Sequence, residues 1–219
     1  MINTLPALSN FLADWYEAAP GELSLPDGAV PALINPLLRE FYCRIGALAE
    51  RTTSFRHPNN TLGPLAAQDT ILPVADLDGH SRPTIFLVEN QGCWVGAADR
   101  NSPYTFIKGD FADTEFEDDF EETQIPLVET LCGAALMETI MSVFEHMPWL
   151  ETEEHSALCA EVSHGKSWSL RTVHKSNPLT FFLAGDLLAF GWTASKPKWV
   201  ARRGLWRLPP MDCHRRKQK

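Results

Sequence analysis

The sequence lacks the short motifs that identify several classes of enzyme. It contains no Gly-x-Ser-x-Gly nucleophile motif, no glycine-rich phosphate loop ending in Gly-Lys and no His-Glu-x-x-His zinc motif. Its seven histidines offer one loose pairing with a cysteine, Cys159 with His164, which does not make a set of metal ligands. We therefore predict that the protein is not an enzyme and has no catalytic residue, metal site or cofactor.

Long hydrophobic runs are also missing. The best candidate, residues 179–192, is shorter than the roughly 20 residues that cross a bilayer and carries Asp186 at its centre. The N-terminal residues lack the basic start of a secretory signal. The five cysteines are odd in number and contain no Cys-x-x-Cys spacing, which favours a reducing compartment. The sequence thus predicts a soluble, cytoplasmic protein with no membrane partner.

Basic residues are scarce over most of the chain. The net charge is −9, but residues 1–161 hold 26 acidic and 7 basic residues, or −19, whereas residues 162–219 hold 2 acidic and 12 basic residues, or +10. An acidic surface repels phosphate and attracts basic proteins, so the charge argues against a nucleic-acid partner. We predict an α+β domain over residues 1–150 and a β-rich, basic C-terminal extension over residues 151–219, packed on the same domain.

Hydrophobic periodicity predicts the elements of an α+β fold, in which helices pack on a mainly antiparallel sheet. Apolar residues at three- and four-residue steps predict helices over residues 5–18, 36–48 and 126–146, of which the last is buried on much of its circumference. Two apolar runs predict a hairpin of strands 84–89 and 93–97 around a three-residue loop, Asn90-Gln91-Gly92, with Gly92 in the left-handed conformation. Further strands are expected at residues 104–107 and over much of 168–208.

The most concentrated charge in the sequence is an acidic run, residues 110–122, in which phenylalanines alternate with carboxylates. Such a mixture can place aromatic rings on a partner while the carboxylates pair with its basic groups. A solvated loop whose phenylalanines hold it to its own core is the alternative interpretation. The candidate partner-binding residues are Asp110, Asp113, Glu115, Phe116, Glu117, Asp118, Asp119, Phe120, Glu121 and Glu122.

Basic residues alternate with Trp199 and Trp206 near the C-terminus, an arrangement typical of surfaces that bind single-stranded nucleic acid. The alternative is a pair of strands with tryptophans facing inward and cations outward. We favour this second interpretation because the acidic remainder of the molecule would repel a nucleic acid.

One segment resembles a known family. Residues 36–42 (PLLREFY) with Gly46, then Asn60-Thr61-Leu62, and then a hydrophobic strand leading into residues 89–96 (ENQGCWVG) are similar to the SUKH superfamily. That group includes a yeast regulator of cell-wall synthesis and many bacterial immunity proteins of contact-dependent and polymorphic toxin systems. The resemblance covers about residues 30–145, and its most specific motif comprises Glu89, Asn90, Gln91, Gly92 and Trp94.

The resemblance implies an α+β fold with a mainly antiparallel sheet and a protein that inhibits a toxin by binding it stoichiometrically. We interpret the motif as structural: Gly92 serves the turn, and the side chains of Glu89, Asn90 and Gln91 tie loop backbone groups together. The sequence departs from the family pattern at Ser102-Pro103, where an Asp-Pro pair is expected, in the acidic run, and in the basic C-terminus.

These features lead to a functional hypothesis. We expect an immunity protein that neutralises a cognate bacterial toxin, such as a nuclease or another effector with a basic surface. A regulatory scaffold with several partners is the first alternative. A nucleic-acid-associated protein that acts through its basic C-terminus is the second.

Overall fold

The predicted α+β class is confirmed. A computed structural model of the chain describes residues 1–55, 63–109, 120–144, 153–171, 178–192 and 196–204, without the side chains of Phe144 and Glu154. Within these residues the helices are α1 (Leu5–Trp15), α2 (Pro36–Ile45), α3 (Leu127–Phe144) and α4 (Glu153–Ser163). One antiparallel sheet has the strand order β1 (Thr70–Ile71), β2 (Thr84–Val88), β3 (Trp94–Ala98), β4 (Tyr104–Gly109), β5 (Glu121–Pro126). A second antiparallel sheet has the order β6 (Lys166–Leu170), β7 (Leu179–Ala184), β8 (Leu187–Gly191), β9 (Trp199–Arg202).

The two N-terminal helices form where the sequence predicts them, because each has a side-chain cap and an early proline. The Thr4 hydroxyl accepts the N–H of Ala7 at the start of α1, and Asn35 Oδ1 accepts the N–H of Leu37 at the start of α2. Helix α1 ends at Trp15, three residues earlier than predicted, and Glu17 takes a positive φ of 51°. The apolar faces of both helices are buried in the main core.

Helix α3 is the central element of the molecule, and its predicted burial is confirmed. It contacts α1 and α2, strands β4 and β5 of the first sheet, and strands β6, β8 and β9 of the second. Its buried side chains share one apolar core with residues of both sheets, including Phe86 and Phe190. The second sheet therefore packs on α3, the helix that directly follows the first sheet in the chain. The predicted domain boundary at residue 150 stays a prediction.

The second sheet lies between two helices. Phe181, Leu188 and Phe190 join the main core around α3, whereas their neighbours Phe182, Leu187 and Ala189 join a smaller cluster around Val162 of α4. Successive side chains of a strand point to opposite faces, so covering both faces requires a continuous apolar run. This arrangement explains the apolar sequences of β7 and β8, which lie within the region where strands were predicted and are joined by a turn at Gly185-Asp186.

Three features differ from the sequence prediction. The hairpin strands end at Val88 and begin at Trp94, so the loop spans residues 89–93 rather than three residues. Helix α4 was not expected, and strand β5 occupies residues that were treated as the end of a charged loop and the start of a helix. Residues 60–62, 110–119 and 205–219, which carry part of the family pattern, most of the acidic run and the basic tail, lie outside the described residues.

No helix within the described part of the chain is long and apolar enough to cross a membrane.

Candidate functional site

The residues that carry the resemblance to the SUKH superfamily, residues 89–94, form the turn between β2 and β3. Glu89 Oε2 accepts the N–H groups of Gln91 at 2.9 Å and Cys93 at 3.1 Å, and the Glu89 carbonyl accepts the N–H of Gly92 at 2.9 Å. Gly92 has φ +73°, which a residue with a Cβ adopts only with strain. The predicted turn role of Gly92 and the bridging role of the Glu89 carboxylate are therefore both present.

The two amides of the motif behave differently from the prediction. Asn90 and Gln91 are exposed, and neither side chain forms a hydrogen bond with any described residue. The backbone N–H of Asn90 instead donates to Asp69 Oδ1 at 3.4 Å. Among the side chains of the motif, Glu89 alone ties the loop backbone together, while Trp94 is buried with 3% of its surface exposed.

A buried glutamate in α3, which the sequence reasoning missed, holds the segment before β1. Glu138 is 0% exposed, and its carboxylate accepts three backbone N–H groups, from Ala67 and Gln68 at 2.7 Å each and from Asp69 at 2.8 Å. Burial raises the pKa of Glu138 to about 8, although the three N–H donors partly oppose this increase and the Asp69 carboxylate adds to it. The sequence signal was a single carboxylate in the middle of an otherwise apolar stretch of α3.

The Glu138 contact places Asp69 beside the motif. Thr70, the next residue, begins β1 and pairs with Val88 at the end of β2. Asp69 therefore sits between α3, which binds its backbone N–H, and the 89–93 loop, which its side chain contacts. Two carboxyl side chains, Asp69 and Glu89, thus lie at the same end of the first sheet.

A cavity of about 250 Å³ adjoins this end of the sheet. The motif residues Glu89 and Trp94 line it together with Gln68 and Asp69. Helix α3 contributes an apolar wall and the second sheet contributes an aromatic one. The sequence did not reveal this cavity, because its lining comes from four segments that are far apart in the chain.

The aromatic wall of the cavity is built from three rings. Phe190 stacks on Trp199 with centroids 4.7 Å apart and an interplanar angle of 14°, and Trp192 stands nearly perpendicular to both, at 5.8 and 5.5 Å. The ammonium of the exposed Lys198 lies over the ring of Trp199, 4.4 Å from the ring centroid. At Trp199 the favoured interpretation, with the ring inward and cations outward, is confirmed; Trp206 lies outside the described residues.

The described part of the acidic run lies on an edge strand. Glu121 and Glu122 are exposed at the start of β5, which among the described residues is one of the two edge strands of its sheet. Glu122 accepts hydrogen bonds from the Ser102 hydroxyl at 2.9 Å and from the Gln124 amide at 2.6 Å, both of which are neutral donors. Both glutamates therefore present their negative charge to solvent.

Strand register places the described residues that flank the acidic run at the same end of the sheet as the 89–93 loop. Gly109, the last described residue before the run, pairs with Trp94, and Glu121 pairs with Ile107. Phe120, which precedes Glu121, lies with its ring centroid 5.9 Å from the ammonium of Lys108. Gly109 and Glu121, which flank the undescribed part of the run, thus lie at the end of the sheet that carries the 89–93 loop. The other predicted partner-binding residues lie outside the described ones: Asp110, Asp113, Glu115, Phe116, Glu117, Asp118 and Asp119.

No set of three or more His, Cys, Asp or Glu side chains in the described ranges is placed to hold a metal ion. The four cysteines within those ranges, Cys43, Cys93, Cys132 and Cys159, are free thiols. Comparison of the chain with models of protein families, with curated proteins and with solved structures gave no match.

Proposed function

We propose that this protein belongs to the SUKH superfamily and is an immunity protein, which binds a bacterial toxin domain of basic surface charge and neutralises it. The observation that carries the proposal is the gathering of negative groups at one end of the first sheet. Exposed Glu121, near the end of the acidic run, lies at the same end of the sheet as Asp69 and Glu89, and exposed Glu122 follows it along β5.

The electrostatics of the proposed target support this role. A nuclease must attract phosphate, so its active-site cleft carries basic side chains. An acidic surface of similar shape competes for that cleft and accelerates association, since complementary long-range fields increase on-rates by about 10 to 10³. Because single exposed ion pairs contribute only about 0 to 1 kcal/mol each, affinity requires apolar anchors as well. The phenylalanines of the acidic run, among them Phe120, are the anchors that we propose.

The hydrogen bonds of Ser102 support the family assignment, although the sequence departs from the family pattern at this residue. Where an Asp-Pro pair is expected, the Ser102 hydroxyl accepts the N–H of Tyr104 at 3.1 Å. An aspartate carboxylate commonly accepts the same bond two residues ahead. Ser102 therefore preserves the turn that leads into β4, while its hydroxyl donates to Glu122 of the acidic surface.

Inhibition by binding requires no catalytic group in the inhibitor, and a toxin that attacks nucleic acid in the cytoplasm must be met there. We therefore place the proposed activity in the cytoplasm. The direct test is to identify a toxin domain encoded by a gene that neighbours the gene of this chain, and to purify the two proteins together. We expect a 1:1 complex in size-exclusion chromatography whose affinity falls as the salt concentration rises. Separate elution of the two proteins at micromolar concentration would reject the proposal.

A further inference from the structure

The cavity beside the family motif combines apolar walls with carboxyl groups. Its lining includes two carboxyl side chains, Asp69 and Glu89, and no Lys, Arg or His among the described residues. We propose that this cavity binds an aliphatic cation, that is, an ammonium or guanidinium group on an apolar stem. A lysine or arginine side chain of a protein and a free alkylamine share this chemistry. The inference goes beyond the proposed function and stands without it.

The size of the cavity restricts the ligand. At about 250 Å³ it lies just below the range of roughly 300 to 1,000 Å³ that is usual for drug-sized ligands and cofactors. A group no larger than one long side chain fits that space. A nucleotide or a flavin does not.

The walls suit the stem of such a group. Ala134, Met137 and Met141 of α3 face the space from one side, and the Phe190–Trp199 stack with Trp192 forms another. Methionine side chains adapt to ligands of varied shape, and aromatic rings bury apolar stems over a large area. Burying a CH₂ group in this space is favourable irrespective of the charge that follows it.

Glu89 supplies the recognition of charge. Its Oε2 is committed to the N–H groups of Gln91 and Cys93, whereas Oε1 accepts no hydrogen bond from any described residue. The turn thus fixes the carboxylate and leaves one oxygen for a ligand, so that little side-chain entropy is lost on binding. Asp69 adds a second carboxyl group, held in place by the contact of its backbone N–H with Glu138.

The position of Lys198 decides where the charge of the ligand lies. Its ammonium already occupies the face of Trp199 that Phe190 does not cover. A second cation there would be repelled, so the ligand's charge belongs beside Glu89 and Asp69. An anionic ligand would meet the same two carboxyl groups and is disfavoured.

The test compares side-chain mimics with and without a cationic group at the end of an aliphatic stem. N-acetyl-lysine N-methylamide, its arginine counterpart and its uncharged norleucine counterpart are titrated into the full chain by calorimetry, with tryptophan fluorescence as a second readout. We expect at least one of the cationic probes to bind about tenfold more tightly than norleucine, because a charge-assisted hydrogen bond contributes that much. Free pentylamine is titrated in parallel. Tighter binding of blocked lysine than of pentylamine indicates a protein side chain as the occupant, and the reverse order indicates a free amine.

Three variants separate the recognition of charge from the shape of the cavity. Glu89→Gln retains an oxygen for the two turn N–H groups but loses the negative charge, so the preference for the cation should disappear while norleucine binding is unchanged. Glu161→Gln removes an exposed charge on α4, outside the cavity, and should retain the preference. Ala134→Met fills the cavity without altering either carboxyl group and should weaken all probes. The proposal is overturned if no probe gives saturable binding, if norleucine binds as tightly as lysine and arginine, or if Glu89→Gln keeps the preference with an unchanged melting curve.

Discussion

The carboxylate of Glu138 accepts the backbone N–H of Asp69 at 2.8 Å, across 69 positions of the sequence. This bond, with the two from Ala67 and Gln68, joins the centre of α3 to the segment that enters β1. The same segment carries Asp69 to the rim of the cavity and to the 89–93 loop. A single buried side chain thus connects α3 to the end of the first sheet that carries Asp69 and Glu89.

Replacing Glu138 should destabilise the protein strongly. Glu138→Ala leaves three backbone N–H groups without an acceptor, and each unsatisfied buried donor costs about 1 to 3 kcal/mol. We expect the free energy of unfolding to fall by about 3 kcal/mol or more in urea denaturation. Glu40→Ala, in α2, removes an exposed i,i+4 ion pair with Arg44 and should cost less than about 1 kcal/mol. Equal losses from the two variants would contradict the role of Glu138.

The raised pKa of Glu138 predicts a pH dependence of stability. The pKa is about 8 in the folded protein against an ordinary value of 4.5, so between these values the folded state holds a proton that the unfolded state has released. The stabilisation is therefore complete below about pH 4.5 and declines as the pH rises towards 8, with a slope of at most about 1.4 kcal/mol per pH unit. The Glu138→Gln variant has no ionisable group at this position and serves as the reference. The difference in unfolding free energy between wild type and this variant should fall from pH 5 to pH 8, and a constant difference would refute the assignment.

Asn35 joins the start of α2 to the turn between β3 and β4. Besides capping the helix, its amide donates to the carbonyls of Asp99 at 2.6 Å and Ser102 at 2.9 Å, and the residue is 3% exposed. Asn35→Ala should lower the free energy of unfolding by about 2 to 3 kcal/mol, because the helix loses its cap and two backbone carbonyls lose their donor. Asn35→Ser keeps a capping oxygen and should recover about 1 kcal/mol. Urea denaturation measures both, and identical stability of the two variants would contradict the capping contribution.

The elements with strong local signals were predictable from the sequence. Asn35 with Pro36 marks the start of α2, and the long apolar pattern marks α3, because caps and periodicity act within a few residues of one another. Gly92 marked the turn, since its left-handed conformation is a local property of the chain. The apolar runs of β7 and β8 likewise pointed to strands, and the structure shows that both of their faces are covered.

The missed features depend on partners that are distant in sequence. Backbone N–H groups bind Glu138, and every residue but proline supplies one, so no side-chain pattern reveals that contact. Helix α4 has one fully buried apolar residue, Val162, and therefore a weak periodic signal. Strand β5 begins with two glutamates, which an edge strand tolerates and a central strand does not. The cavity assembles from both sheets and α3, so only the tertiary structure reveals it.

The proposed partner surface predicts a specific effect of charge reversal. Substituting lysine at both Glu121 and Glu122 should slow association with the toxin domain by about tenfold at low salt and flatten the salt dependence, because the steering field is local. Substituting lysine at Glu153 and Glu161, two exposed glutamates of α4, changes the net charge equally and should have a smaller effect. Stopped-flow or surface-plasmon-resonance association rates measure both. Equal effects would place the interface elsewhere.

Neutralisation of a toxin in living cells tests the central proposal most directly. A toxin domain identified in a neighbouring gene is induced in cells that carry this chain, the variant with lysine at positions 121 and 122, or an empty vector, and growth is measured. We predict normal growth with the wild-type chain, arrest with the vector, and weaker protection by the variant at equal protein level. Arrest in the presence of the folded, well-expressed wild-type chain would contradict the account.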